Sequence, residues 1–218
     1  MALAIFDLDN TLLDGDSDYL WGEYMVANEI VDRTEYQLAN AAFLRDYQRG
    51  QLDNDLYLQF ALKPLTRHPI ERLYAWRADF VDTWIKPAIA VGAPELLEQH
   101  RAEGDTQIIV SATNLFITEP IAELLDIPHI LSTEPEIIKN RYTGRYLGTP
   151  TYKEGKVVAL NEWLEASEHS LDNSYFYSDS INDLPLLEQV SWPVAVNPDE
   201  DLKRVAEQRE WTILDLRS

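Results

Sequence analysis

Two carboxylates one residue apart close the first apolar run of the chain, Ile5-Phe6-Asp7-Leu8-Asp9-Asn10-Thr11-Leu12. Asp7 can act as a nucleophile and metal ligand, as carboxylates do in aspartyl-phosphate chemistry. Asp9, two residues on, can give a proton to a leaving oxygen and later activate water. Thr11 adds a hydroxyl. A second apolar run, Ile108-Ile109-Val110, leads into Ser111-Ala112-Thr113-Asn114. Ser111 there can bind a phosphate oxygen together with backbone N–H groups near a helix start. Lys156 precedes an amphipathic stretch, an odd place for a cation by helix-dipole logic unless an anion lies nearby. A third run, Tyr175-Phe176-Tyr177, enters Ser178-Asp179-Ser180-Ile181-Asn182-Asp183. Asp179 can complete a magnesium site of hard oxygen ligands, and Asp183 can hold metal-bound waters. Taken singly, each feature has a plainer reading: turn acids, a helix-capping serine, a solvated lysine. Taken together, in this order and each at a strand end, they supply a nucleophile, a metal and donors for the equatorial oxygens of a phosphoryl group.

These residues need elements to hold them. Short apolar runs at 3–8, 107–110, 129–131, 175–177, 192–196 and 212–214 read as buried strands. Amphipathic stretches at 93–103, 115–125, 156–165 and 183–190 alternate with several of them. That alternation predicts βαβ units and a parallel sheet with helices on both faces. Ligands of such sheets sit beyond the carboxyl ends of the strands, where Asp7 and Asp9 are delivered. From about Asp16 to Lys86 no strand pattern appears, and aromatics and leucines recur at helical spacing: Tyr19, Leu20, Tyr24; Phe43, Leu44, Tyr47; Leu56, Phe60; Leu73, Trp76, Phe80. We expect several helices inserted after the first strand. A hairpin is expected within 136–147, turning near Thr143-Gly144.

The bulk properties narrow the class. The 218 residues fit one domain, or one with a smaller insertion. Hydrophobic residues make up 45% and charged residues 26%, ordinary for a globular chain. No apolar run is long enough to span a bilayer. The absence of cysteine excludes disulfides. The segment before Asp9 lacks the basic region of a signal peptide, so we expect a cytoplasmic protein. The net charge of −20, from 18 basic and 38 acidic residues, argues against nucleic-acid or anionic-membrane partners. An anionic substrate then requires a bound metal and a few cations to set the field locally.

The four motifs resemble the haloacid dehalogenase superfamily: Asp-x-Asp-x-Thr, a strand-end Ser or Thr, a Lys, and an acidic motif of the Gly/Ser-Asp-x-x-x-Asp type. They span nearly the whole chain, and the first and fourth together are highly specific. The helical insertion is similar to the C1 cap of the phosphoserine-phosphatase-like subgroup. The resemblance implies an α/β fold: a Rossmann-like three-layer α/β/α core with a parallel sheet (residues 1–15 and 87–218) and an inserted all-helical cap (residues 16–86). It implies a Mg2+-dependent phosphatase acting on a small phosphorylated metabolite, as a monomer or homodimer. Asp7 would be the nucleophile and a metal ligand. Asp9 would be the acid/base, its backbone carbonyl on the metal. Thr11, Ser111 and Lys156 would hold the phosphoryl group, with Lys156 preferred to Lys153 by its distance before Asp179. Asp179 would complete the metal site, with Asn182 and Asp183 supporting it. The presence of Asp9 argues against dehalogenation.

Substrate is less determined. Phosphoserine phosphatases carry a glutamate for the substrate amine where this chain has Asp16, and a glycine-rich stretch where it has Ala112-Thr113-Asn114. Their cap arginine has Arg45 and Arg49 as candidates here. Asp14, Asp16 and Asp18 suit an amine-bearing substrate, since unpaired carboxylates in a closing pocket favour a cation; a solvated acidic loop accounts for them equally well. Histidinol phosphate, with an amine and an imidazole but no carboxylate, would need acids and no arginine. A phosphotransferase or mutase on the same fold, and a non-catalytic protein-binding regulator, are the alternatives.

Overall fold

The computed structural model describes residues 2–218; residue 1 of the expected core segment lies outside the described residues. The first strand, β1 (Leu3–Phe6), is buried at every position, as a central parallel strand must be. It lies between β2 (Thr106–Asn114) and β5 (Tyr175–Ser178), parallel to both. The strands β3 (His129–Ile138), β4 (Arg141–Leu147), β6 (Trp192–Val196) and β7 (Thr212–Leu214) complete a seven-stranded sheet of order β4-β3-β2-β1-β5-β6-β7. All pairs are parallel except β3–β4.

Alternation along the strands feeds two cores, one per face. Ala4, Phe6, Ile109 and Val194 pack with α5 (Ala93–Glu103) and α6 (Leu115–Leu124). Leu3, Ile5, Ile108, Val110 and Phe176 pack with α7 (Glu154–Glu165), α8 (Leu184–Leu187) and α9 (Glu200–Gln208). The sheet is therefore the middle of three layers.

Between β1 and α5 the described residues are helical: α1 (Ser17–Ala27), α2 (Arg33–Gln48), α3 (Asn54–Leu62) and α4 (Ile70–Phe80), followed by short helical turns up to Ala88. Aspartates start three of these helices. The side chains of Asp16, Asp32 and Asp53 accept from the backbone N–H three residues on, at 2.8, 3.0 and 3.1 Å. One tie from this segment to the sheet layers uses a carbonyl that a proline leaves free. Pro120 inside α6 has no N–H to give to the carbonyl of Phe116. Arg77 Nη1 of α4 donates to that carbonyl at 3.1 Å and also pairs with Glu119.

Four expectations need correction. The hairpin exists, but β3 runs on to Ile138 and the turn is Lys139-Asn140, both with positive φ (50° and 60°), which leaves Gly144 inside β4. A two-residue turn with both φ positive matches the right-handed strand twist, where an ordinary type I or II turn would splay the strands. The second strand does not stop at Val110 but continues to Asn114, so Ser111 lies within a strand and not at a helix start. Lys156 does not precede α7; it is buried in its first turn. The stretch at 183–190 forms only the short α8 after a turn at Ile181–Asp183.

Candidate active site

The strand order reverses at β1: the chain moves outward through β2, β3 and β4 on one side and β5, β6 and β7 on the other. A crevice opens at such a switch point, beyond the carboxyl ends of the strands. Asp7 follows β1 directly there and is 3% exposed. Lys156 Nζ, 1% exposed, donates to Asp7 Oδ1 at 2.8 Å and to Asp183 Oδ2 at 2.7 Å. Ser178 Oγ donates to the same Asp183 oxygen at 2.7 Å. Burial pushes the Asp7 carboxyl up to about 7; Lys156 opposes this, and the nearby Asp183 and Asp9 charges add to it. The two buried carboxylates raise the Lys156 ammonium well above its ordinary value, against its own burial.

The lysine reaches this place because of a close approach. A Cβ on Gly155 would overlap the carbonyl of Pro150, so only glycine lets the first turn of α7 lie against that loop. Lys153, the other lysine of this stretch, turns away and donates to the carbonyl of Gly50 at 2.9 Å.

Asp9 is held from two sides. Its Oδ1 accepts from the Ser17 N–H at 2.6 Å and its Oδ2 from Thr113 Oγ1 at 2.8 Å. Burial, and then the Asp16 charge, lift its carboxyl to about 6, a value suited to proton exchange near neutral pH. Thr11 Oγ1 is buried without a hydrogen-bond partner in the protein, as a donor reserved for a ligand would be. Ser111 is fully buried, its Oγ accepting from the Thr113 N–H at 3.1 Å.

Asp179 carries the best test for a divalent cation. Burial raises its carboxyl well above the ordinary range, and the Asp7 and Asp183 charges raise it further. Lys156 is the cation that offsets this charge. Hard carboxylate and carbonyl oxygens under such a negative field are the donor set that Mg2+ takes, so the residues fit the group. A different cluster, His100, Glu103 and Asp105, has ligand atoms within 4.8 Å of one another. There, however, His100 already bonds Asp105 at 2.9 Å and the Tyr177 hydroxyl at 2.7 Å, which occupies both ring nitrogens.

A cavity opens from Asp7 and Asp9. Its wall includes Asp16, Asp18, Asn40, Tyr47 and Tyr57. No Lys, Arg or His is among the described residues that line it. Burial lifts the Asp16 carboxyl to about 6 and the Asp18 carboxyl to about 7, the latter opposed by a hydrogen bond from Tyr57. Asp14 is exposed and pairs with Arg217 at 2.7 Å, and Arg45 and Arg49 are exposed. Asp183, expected to hold metal-bound waters, accepts directly from Lys156, while Asn182 Nδ2 donates to the Tyr47 carbonyl at 3.1 Å. Thr113, Tyr47 and Tyr57 were missed by the sequence reading. Thr113 had a signal: it follows Ser111 by two residues and so faces the same side of a strand that continues.

The model of haloacid dehalogenase-like hydrolases matches residues 4–188. The chain belongs to the haloacid dehalogenase-like hydrolase family. It is 44% identical over 219 residues to a histidinol-phosphatase of Neisseria meningitidis, covering 99% of each chain. It is 30% identical to a phosphoserine phosphatase of Mycobacterium tuberculosis, over 99% of this chain and 71% of that protein. A crystal structure from Bordetella pertussis of a protein with unknown function superposes with TM-score 0.92 at 42% identity, covering 99% and 98% of the two chains. A phosphoserine phosphatase with a phospho-aspartyl intermediate analogue shares the fold, with TM-score 0.71 at 17% identity over 100% and 93%. With these relatives this family member is a hydrolase of the phosphatase kind. Among the described residues, no helix is long and apolar enough to cross a membrane.

Proposed function

We infer that the chain is a Mg2+-dependent phosphatase for a small phosphomonoester whose alcohol carries a positive charge, and that histidinol phosphate is the best fit. The observation that carries this reading is the cavity beside Asp7. Asp16 and Asp18 line it with aromatic rings, and no basic residue is found among its described walls. Buried carboxylates without a cation of their own are costly, and an incoming amine relieves that cost. Flat aromatic walls suit an imidazole. Phosphoserine would bring a carboxylate among four aspartates, and the two candidate arginines, Arg45 and Arg49, do not line the cavity. The histidinol-phosphatase from Neisseria, similar end to end, supports the same choice.

In this reading residues 16–86 form a cap over a core made of residues 1–15 and 87–218. Asp7 attacks phosphorus and becomes a phosphoaspartate. Lys156, locked by Asp183, neutralises the charge shared by Asp7 and the phosphoryl oxygens. The Thr11 and Ser111 hydroxyls take phosphoryl oxygens. Asp9 protonates the leaving alcohol, then removes a proton from the water that hydrolyses the intermediate. Mg2+, held by Asp7, Asp179 and the Asp9 carbonyl, would act as a Lewis acid on the phosphoryl group.

The test is release of inorganic phosphate, without any acceptor, from histidinol phosphate, phosphoserine, phosphoethanolamine and an aryl phosphate, with Mg2+ and with EDTA. We expect histidinol phosphate to be fastest, EDTA to abolish release, and Asp7→Asn to be inactive. Wild-type turnover by Asp7→Asn would refute the mechanism, and faster phosphoserine release would refute the substrate.

A further inference from the structure

Two core side chains hold the carboxyl end of α2. A helix end leaves carbonyl capacity unspent and carries partial negative charge. Lys153 Nζ donates to the Gly50 carbonyl at 2.9 Å, and Asn182 Nδ2 donates to the Tyr47 carbonyl at 3.1 Å. These contacts span 103 and 135 residues of sequence. Gly50 has φ +66°, and a Cβ there would stand 3.3 Å from Asn182 Oδ1 and 3.9 Å from Lys153 Nζ. The positive φ favours glycine here, and the bare backbone spares Asn182 a tight contact, whereas Lys153 would meet a Cβ only at ordinary van der Waals distance. Lys153 itself holds φ 51° and ψ −119°, a conformation that is strained for a non-glycine residue and persists only where its surroundings enforce it.

Both donors spring from the loops that carry the reaction machinery. Lys153 stands immediately before α7, three residues ahead of Lys156. Asn182 adjoins Asp183, which grips Lys156. On the other side, Tyr47 lines the reaction cavity and its ring lies 5.9 Å from that of Tyr152. The Lys153 ammonium stands 5.2 Å from the same Tyr152 ring.

We propose that Lys153 is a positioning residue: with Asn182 it clamps the carboxyl end of α2 onto the Lys156 and Asp183 loops and so keeps Tyr47 in the wall of the reaction cavity. Lys153 acts through α2 and not on the phosphoryl group, so its loss is felt in binding before it is felt in chemistry. The clamp rests on the reading of that cavity as the reaction site.

The experiment compares Lys153→Met, which keeps the stem but loses the donor, with Lys153→Arg, which keeps a donor. Amide hydrogen exchange of residues 46–51 gives a readout independent of turnover. In Lys153→Met these amides should exchange about tenfold faster, as expected for loss of one charge-assisted hydrogen bond. KM for histidinol phosphate should rise about three- to tenfold with kcat within about twofold, the pattern of lost binding without lost chemistry. Lys153→Arg should restore both. Unchanged exchange at 46–51 in Lys153→Met would overturn the clamp, as would faster exchange spread over the whole chain, or a Lys153→Arg variant as impaired as Lys153→Met. Failure of Asp7→Asn to abolish turnover would instead sink the reading of the cavity, and the exchange data would still judge the clamp.

Discussion

Replacing Lys156 with Met should destabilise the metal-free protein in a strongly pH-dependent way. Lys156 is 1% exposed, and its ammonium joins Asp7 (3% exposed) to Asp183 (1% exposed) at 2.8 and 2.7 Å. Met fills most of the same volume but leaves both carboxylates without their cation. Removing one partner of a buried ionic group costs about 3–5 kcal/mol. In a chain of this size that lowers Tm by about 6–20 °C, at roughly 2–4 °C per kcal/mol. The sign of the pH dependence follows from Asp7. Its folded value is already raised to about 7, above the ordinary 3.8, and Lys156 is what holds it down. A carboxyl raised in the folded state binds its proton more tightly there than in the unfolded chain. Stability is therefore lost as pH climbs from the unfolded value through the folded one. Without Lys156 the folded value climbs further, so the deficit is largest near pH 8. Near pH 5 Asp7 is protonated in both proteins, and the deficit should narrow by more than about 1 kcal/mol, on the scale of one pKa unit. Thermal unfolding in EDTA at pH 5, 6.5 and 8 reads this directly. Lys156→Met combined with Asp183→Asn should recover more than about 1 kcal/mol at pH 8, because the second uncompensated charge is gone. A deficit that does not change with pH, or one below about 1 kcal/mol at pH 8, would refute the account of Lys156 as the cation that makes these buried acids tolerable.

Two further outcomes follow from the site. Asp16→Asn should lower kcat/KM about ten- to a hundredfold for histidinol phosphate, the worth of one charge-assisted contact, yet change an aryl phosphate less than about threefold; steady-state kinetics on both substrates decide it, and equal losses would mean that Asp16 only caps α1. Gly155→Ala should cost at least about 2 kcal/mol and disturb Lys156, because the new Cβ meets the Pro150 carbonyl; a denaturant melt showing less than about 0.5 kcal/mol of loss would mean that this loop yields easily.

Much of the fold was legible because its causes are local. Four buried residues in a row at Leu3–Phe6 need two neighbours and two covered faces, and the structure supplies both. Helical spacing in 16–86 is a short-range pattern, which survives any tertiary arrangement. Element ends were misread where long-range pairing decides them. The run at 107–110 reads as complete, yet Asn114 pairs with Thr133 of β3, and that partner carries the strand four residues further. The sequence points to the glycine for the hairpin turn, although two non-glycine residues with positive φ make it.

For the site, the residue types and their order determined the chemistry: a carboxylate at the end of β1, an acid two residues on, a lysine before the run that becomes β5, and acids after β5. Only the tertiary structure decided how each is used. It separates Lys156, buried between Asp7 and Asp183, from Lys153, which reaches Gly50 in the helical segment. It sorts the acids of the first loop, sending Asp14 to Arg217 at the surface and leaving Asp16 and Asp18 in the wall of the cavity. The physical reason is that ionisation and charge pairing depend on burial and on neighbours more than a hundred residues away, as in the 149-residue span from Asp7 to Lys156, and neither has any expression in the local pattern of the chain.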